Sequence, residues 1–420
     1  MTRFSRDKSE ALALGNCVRS NRQSIQHLMT VDTQPQGDER VHWLPMVAAI
    51  SSISVVGIAI GLGMPLLSVI LETRGHSASM IGLNTAVAGL ASIAGAPLAT
   101  PLAMRFGVAW TMIAMIATGA LAFVGFHFAP DFWMWFPLRI VLHIALTVLF
   151  ILSEFWISTS APPHRRGLVL GIYATVLSLG FAAGPWLFAH LGSSGFRPFG
   201  VIIALVTLAA IPVLAARNES PTIVAESETS HFLRYIWLVP TATFAVLVFG
   251  AVETGGFALF PVYGNRIGYS EADAALLLTM IGLGNVLLQI PIGMISDRVS
   301  DRRYLLLACA TVGLVGTIFM PFFAANWHLM AALLFVWGGV VAAMYTIGLA
   351  HLGSQLSGHE LASANAAFVL CYGVGMVLGP QAIGIGMDSF GPSGFGWSLG
   401  LFFGAYIALV CFRLVRKILL

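Results

Sequence analysis

Leu44-Pro-Met-Val-Ala-Ala-Ile-Ser-Ser-Ile-Ser-Val-Val-Gly-Ile-Ala-Ile-Gly-Leu-Gly-Met-Pro-Leu-Leu-Ser-Val-Ile-Leu71 runs for 28 residues without a charged side chain. A helix rises 1.5 Å per residue, so about 20 apolar residues cross the hydrocarbon core of a bilayer. This stretch is long enough to do so alone. Eleven more of the same kind follow, at 80–104, 108–128, 132–158, 167–191, 196–216, 234–262, 271–295, 304–323, 327–354, 362–388 and 393–414. Across the chain 58% of residues are hydrophobic and only 9% charged, against roughly 25% charged in a soluble protein. So few charges cannot cover a water-facing surface. The reading is an all-α membrane protein of twelve transmembrane helices.

Residues 1–43 differ in character, with six basic and five acidic side chains and no apolar run longer than Ala11-Leu12-Ala13-Leu14. A secretory signal needs an apolar core of about 7–15 residues, so a disordered cytoplasmic tail is expected, a start site set too far upstream being the alternative. The division that follows is 1–43 tail, 44–216 first six-helix half, 217–233 linker, 234–414 second half and 415–420 tail. Twelve spans put both termini on one side. That side collects seventeen Arg and Lys residues, among them Arg105, Arg165, Arg166, Arg298, Arg302 and Arg303, while the other holds only Arg74, Arg197 and Arg266. The bias places both termini in the cytoplasm, and the membrane is the bacterial inner membrane. Cys17, Cys309, Cys371 and Cys411 lie far apart with no metal spacing, so no disulfide framework, metal or other cofactor is expected.

The halves repeat. A shift of 193 residues lays Gly57 on Gly250, Gly89 on Gly282 and Arg105 on Arg298; a shift of 195 lays Gly180 on Gly375 and Gly184-Pro185 on Gly379-Pro380. Two parallel six-helix halves with a substrate site between them near the midplane is a recurring transporter plan.

The loop Gly293-Met-Ile-Ser-Asp297-Arg298-Val-Ser-Asp301-Arg302-Arg303 resembles the G-x-x-x-D-R-x-G-R-R loop of the major facilitator superfamily, with Ser300-Asp301 in place of the glycine. The matching loop of the first half keeps Arg105 and Gly107 but has Met104 where that family usually places aspartate. Gly171, Gly180, Gly184 and Pro185 resemble the helix-packing motif of its drug/proton antiporter branch, although the closing glycines are Phe188 and Ala189 here. Glu154-Phe-Trp156 with Arg165-Arg166-Gly167, and Tyr345-Thr-Ile-Gly-Leu-Ala, resemble a bacterial branch of largely unassigned substrates. The resemblance implies that the first, fourth, seventh and tenth spans line a central cavity. It also implies that each loop acid docks on a helix start of the other half, Asp297 on the start of the fifth span. With Met104 in place of the second acid, the latch would rest on one side, and Met104→Asp would strengthen it.

Ionisable groups inside spans cost about 2.5–3.5 kcal/mol each on insertion scales and mark function. In the fourth span Arg139, His143, Thr147 and Glu154 fall at about 0°, 40°, 80° and 60° around the helix, one polar stripe. Arg139 handles substrate or proton, or forms a structural ion pair. His143 is either a satisfied core histidine or a proton group, since imidazole titrates near neutral pH. Glu154 lies level with Arg105 and either pairs with it or carries a proton. Glu253 is the one carboxylate well inside the seventh span, at a depth matching Arg139, and is the candidate for proton coupling. Asn285 and Gln289, four residues apart in the eighth span, hydrogen-bond between helices or face substrate. Tyr345 and His351 are weaker candidates. Trp133, Trp135, Trp327 and Trp397 sit near span ends, as interfacial anchors do.

There is no H-E-x-x-H, G-x-S-x-G or phosphate-binding loop, so neither an enzyme nor an ATP-driven pump is indicated. Sparse polarity in the spans favours an amphipathic or apolar small molecule, exported against protons by a monomer working in lipid without nucleic acid. Proton-coupled uptake of a sugar or other metabolite, and a membrane sensor without transport, are the alternatives.

Overall fold

Among the residues that the computed structural model describes (43–162, 165–223 and 232–419), twelve helices are long and apolar enough to cross a membrane. They are α1 (Trp43–Thr73), α2 (Ala78–Phe106), α3 (Val108–Phe128), α4 (Phe132–Ser160), α5 (Leu168–Leu191) and α6 (Arg197–Ala215) in the first half. The second half has α7 (Pro240–Arg266), α8 (Glu271–Arg298), α9 (Arg302–Phe323), α10 (Trp327–Gly353), α11 (Ser363–Phe390) and α12 (Ser393–Val415). The tail before Trp43, His164, residues 224–231 of the linker and Cys17 lie outside the described residues. Of the other cysteines, Cys309 and Cys371 are buried free thiols and Cys411 is an exposed one.

Prolines explain where the helices depart from the expected spans. The seventh span was expected to run from 234, but a short helix Arg234–Leu238 ends first and α7 starts at Pro240. Proline disfavours the helical region for the residue before it, and Val239 sits at φ −123°, ψ 53°. In α2, Pro97 lacks the N–H that would continue the helix, and a 3₁₀ turn over Ala96–Leu98 joins its two segments. Pro212 leaves the Leu208 carbonyl without its partner, and α6 breaks at Ala209.

Glycines set the packing within each half. A Cβ on Gly180 of α5 would lie 2.6 Å from the Gly57 Cα of α1, and one turn on Gly184 faces Gly61 in the same way. In the second half Gly375 and Gly379 of α11 abut Leu247 and Ala251 of α7, with Gly250 against Tyr372. Small residues let helix backbones touch where lipid supplies no hydrophobic drive for association. The same helix pair in each half is thus held by the glycines that the repeat aligns. The paired Pro185 and Pro380 lie inside α5 and α11.

The halves meet along two seams. α2 lies on α11, with Gly82 against Pro380, Gly89 against Val377 and Ile93 against Gly373; α5 lies on α8, with Ala182 against Gly282. Polar contacts close these seams at the face opposite the Arg298–Arg302 loop, hereafter the far face, the loop side being the basic face. At the far face Arg266 lies 3.5 Å from Glu72 and 3.6 Å from Asp388. Nearby, Asn265 donates to Glu72, and Ser193 donates from both backbone N–H and hydroxyl to Glu271. At the basic face Asp297 is 79% exposed and, among the described residues, pairs with Arg302 of its own loop alone. The structure is therefore closed at the far face and unlatched at the basic face.

Candidate substrate and coupling site

α4 carries the polar stripe, and its members part company. The Arg139 guanidinium is buried and donates from Nε and Nη2 to the Asn84 side-chain oxygen of α2, at 3.1 and 3.0 Å. Its charge also lies over the Phe126 ring, 5.8 Å from the centroid. Among the described residues no carboxylate pairs with it, so the expected partnership with Glu253 is absent. The reason is neighbourhood: α4 packs on α2 and α3 of its own half. His143 Nδ1 lies 3.1 Å from the Arg139 carbonyl, which can only accept, so Nδ1 carries the hydrogen. Its Nε2 is then a buried acceptor without a partner; Ser68 Oγ of α1 and Thr85 Oγ1 and the Asn84 Nδ2 donor of α2 are likewise buried and unpartnered among the described residues. Arg139 and His143 belong to a polar cluster inside the first half.

Glu154, two turns beyond Thr147, has no ion pair with Arg105 among the described residues; that expectation fails. Arg105 instead stacks its guanidinium over Phe106, 5.2 Å from the ring centroid. Glu154 is exposed and lies within electrostatic reach of Tyr173 in α5 and Tyr345 in α10. Tyr173 is held by Ser153 at 2.8 Å. Tyr345 feels Glu253 as well as Glu154.

Glu253 itself accepts a hydrogen bond of 2.6 Å from the Tyr372 hydroxyl of α11. Around it Phe249, Tyr345 and Tyr372 form a cluster of rings, with centroids 5.8 Å (Phe249 to Tyr345), 6.1 Å (Phe249 to Tyr372) and 6.2 Å (Tyr345 to Tyr372) apart. Glu253 and Asn285 line one half-enclosed pocket with Phe181, Phe257 and Trp337. Its enclosed part holds about 40 Å³, room for a water or two. Asn285 Oδ1 is buried there without a hydrogen-bond partner, while Gln289, one turn on, is not part of the lining. Phe181 crosses from the first half to meet Phe257 edge-on at 5.5 Å.

Tyr372 escaped the sequence reading, because an aromatic residue in an apolar span reads as core until its partner is seen. Tyr345 is more central than its rank there suggested. His351 is buried near the basic end of α10, with its Nε2 3.0 Å from Gln355. Trp135 is a correction: it is fully buried, donates to the Ala129 carbonyl and lies under the Arg74 guanidinium, so it is a core residue. Its indole is enclosed by Phe126 and by the start of α4 itself. Trp133 and Trp397 are exposed, and Trp327 donates to the Asp273 carbonyl.

On the basic-face loop, Gly293 is the last glycine of α8 before Asp297, and Arg298 is exposed. Arg302 donates to Ser296, and Arg303 holds Asp301 through Nε at 3.0 and 3.2 Å, Asp301 also capping α9. Gly107 takes φ +83° to turn the chain between α2 and α3, a conformation that disfavours any Cβ. Among the described residues Asp297 makes no contact with the start of α5, part of which, including His164, lies outside them.

The sequence model of the Major Facilitator Superfamily matches residues 49–280 and 242–419, which together span both halves. The chain belongs to the Major Facilitator Superfamily. It is 27% identical over 359 residues to the MFS-type transporter YfkF of Bacillus subtilis, covering 84% of this chain and 90% of that protein. It is 26% identical over 262 residues to the MFS-type transporter YcaD of Escherichia coli, covering 62% and 67% respectively. In fold it matches the nucleoside transporter NupG with a TM-score of 0.72 at 14% identity, over 89% of this chain and 99% of that one. A D-xylose-proton symporter matches at 0.69 and 15%, over 87% and 96%. A bacterial homologue of the lysosomal transporter Spinster, in an inward-facing and unoccupied conformation, matches at 0.67 and 15%, over 90% and 96%. As a member of this superfamily the chain is a multi-pass membrane transporter of a small molecule, a secondary transporter by its fold.

Proposed function

We propose that this transporter exports a small organic molecule from the bacterial cytoplasm in exchange for protons, by rocking its two halves about a site at Glu253. Its termini lie in the cytoplasm, as the excess of basic residues on that face requires, so the conformation described above is inward-facing. The observation that carries the reading is the Glu253 carboxylate, held by the Tyr372 hydroxyl at 2.6 Å in a pocket that Phe181 of the other half also lines. A carboxylate bonded only by a neutral tyrosine hydroxyl, among aromatic rings, can take and release a proton as the site alternates between the two sides. A sugar would ask for many polar side chains to replace its hydroxyl hydrogen bonds, and the pocket lining offers only Glu253 and Asn285. The test has two stages. Growth of a deletion strain across a panel of toxic compounds and carbon sources identifies a substrate. The protein is then reconstituted in liposomes containing a pH dye, where a substrate gradient should drive protons the opposite way. Proton movement in the same direction as substrate, or a sodium requirement, would overturn the proposal.

A further inference from the structure

The Glu253 pocket has a one-sided chemistry. It presents two acceptors, the Glu253 carboxylate, one of whose oxygens takes the Tyr372 hydroxyl, and Asn285 Oδ1, buried with no partner, while the Trp337 indole N–H is spent on the Gly313 carbonyl. No lysine, arginine or histidine lines it. The tyrosines beside it, Tyr372 on the carboxylate and Tyr345 in the ring cluster with Phe249, add no positive charge. The buried cation of the first half is engaged elsewhere, Arg139 spending Nε and Nη2 on Asn84. Around the acceptors stand the rings of Phe181, Phe249, Phe257 and Trp337. Aromatic faces carry negative partial charge and attract cations within about 6 Å of their centroids. A buried carboxylate without a cation, and a buried amide oxygen without a donor, are both costly in apolar surroundings.

We infer that the pocket recognises an organic ammonium ion: an N–H-bearing cationic head on an apolar, ring-bearing body. The head sits between Glu253 and Asn285 Oδ1, donating to both, and its positive charge faces the rings. The enclosed volume of about 40 Å³ matches a head of one or two water-sized groups, and the open side leaves the body against aromatic walls. An anionic ligand would meet the Glu253 carboxylate, and a neutral one would leave its charge unbalanced. The inference rests on the reading of this pocket as the transport site, but it concerns binding alone.

The test is equilibrium binding to the purified full-length protein in detergent micelles without any gradient, followed by naphthalene fluorescence anisotropy. Four probes share one body: naphthylmethylammonium, its trimethylated form, naphthylmethanol and naphthylacetate. The unaltered protein should bind naphthylmethylammonium more tightly than naphthylmethanol or naphthylacetate by about tenfold or more, the equivalent of 1.4 kcal/mol. Glu253→Gln should erase that preference. Asn285→Leu should weaken naphthylmethylammonium several-fold but leave the trimethylated form, which has no N–H to donate, unchanged. Equal binding of cation and anion by the unaltered protein overturns the inference without reference to any variant, as does failure to bind the cation. Cation binding that depends on Glu253, without proton-coupled movement, would sink the transport proposal and leave this one standing. Proton exchange with other solutes, in a protein that ignores ammonium ions, would do the reverse.

Discussion

Asp388, near the end of α11, accepts hydrogen bonds from the backbone N–H groups of Ala78 at 3.0 Å and Ser79 at 2.8 Å, the first residues of α2 in the other half. An acid of one half thus docks on a helix start of the other. The family resemblance places that device on the basic face, through Asp297; the structure has it on the far face, with Asp388. A carboxylate at a helix N-terminus contributes about 0.3–2 kcal/mol, because the free N–H groups there carry partial positive charge.

Asp388→Ala should therefore loosen the far face. In a cysteine-free background, spin labels on cysteines replacing Asp131 and His328, one on each half at that face, would report its opening. The fraction of long distances should rise by about two- to thirtyfold, the range that 0.3–2 kcal/mol allows. Asp388→Asn, which keeps an acceptor without the charge, should fall between. An unchanged distance distribution in both variants would show that packing of α2 on α11 alone closes the face.

Arg266 bridges Glu72 and Asp388, yet each side chain is 20–28% exposed. Partly exposed pairs of this kind contribute about 0.2–1 kcal/mol. Arg266→Ala removes two such pairs and should shift the same spin-label distances by no more than about thirtyfold, less than Asp388→Ala, which loses one of these pairs together with the helix-start bonds, and high salt should mimic it. A larger shift than that of Asp388→Ala would reverse the ranking argued here.

The glycine seams predict a contrast between two chemically identical changes. A Cβ on Gly180 meets the Gly57 backbone, whereas one on Gly404 has nothing within 4 Å. Both replacements by alanine gain about the same helix propensity, so their difference isolates the contact. Overpacking costs about 1–3 kcal/mol where backbone cannot give way. Thermal unfolding in detergent should rank Gly180→Ala below Gly404→Ala. Equal midpoints would mean that α1 and α5 separate without cost.

Much of this architecture was legible because lipid imposes it. A run such as Leu44–Leu71 has one solution in a bilayer, and the glycines that the repeat aligns are the ones that bring helices together. What was not legible depends on which helices meet. The depth of Arg139 and Glu253 could be counted along their spans, but the packing of α4 on its own half, which gives Arg139 to Asn84, could not. Tyr372 and Asp388 went unmarked for a like reason: a tyrosine in an apolar span and an aspartate at its end look ordinary until the neighbour is known. The prolines were visible in the sequence, and their effect on the start of α7 was missed because hydropathy alone set the span.

Arg139→Ala should abolish transport while the protein still inserts, since the change strips the buried Asn84 oxygen of both its donors beside an Asn84 Nδ2 that is already unpartnered. Lysine should rescue only in part, because one ammonium cannot reproduce the paired Nε and Nη2 bonds to a single oxygen. Asn84→Ala should reproduce most of the loss. Substrate exchange in liposomes is the measurement, and full activity in either alanine variant would refute the role.

The basic face carries the sharpest prediction. In this conformation Asp297 is exposed and its pair with Arg302 at 3.5 Å is worth little, so its function belongs to the opposite state, in which it would reach the start of α5. Asp297→Asn should then deepen the preference for the inward-facing form and strongly reduce transport. The other half differs in a way that revises the simple expectation for Met104. The helix that becomes α5 starts at Arg166, just after Arg165, whereas the helix that becomes α11 starts at Gly358 and carries Glu360 in its first turn. That glutamate already places a negative charge at the helix start, so an acid at position 104 would meet its repulsion. Met104→Asp alone should not strengthen the latch, whereas Met104→Asp combined with Glu360→Gln should, raising the outward-facing population. Maleimide labelling of single cysteines on the two faces would read both variants. A latch strengthened by Met104→Asp alone, with Glu360 in place, would show that the α11 start tolerates two acids and that Glu360 plays no part in the gate.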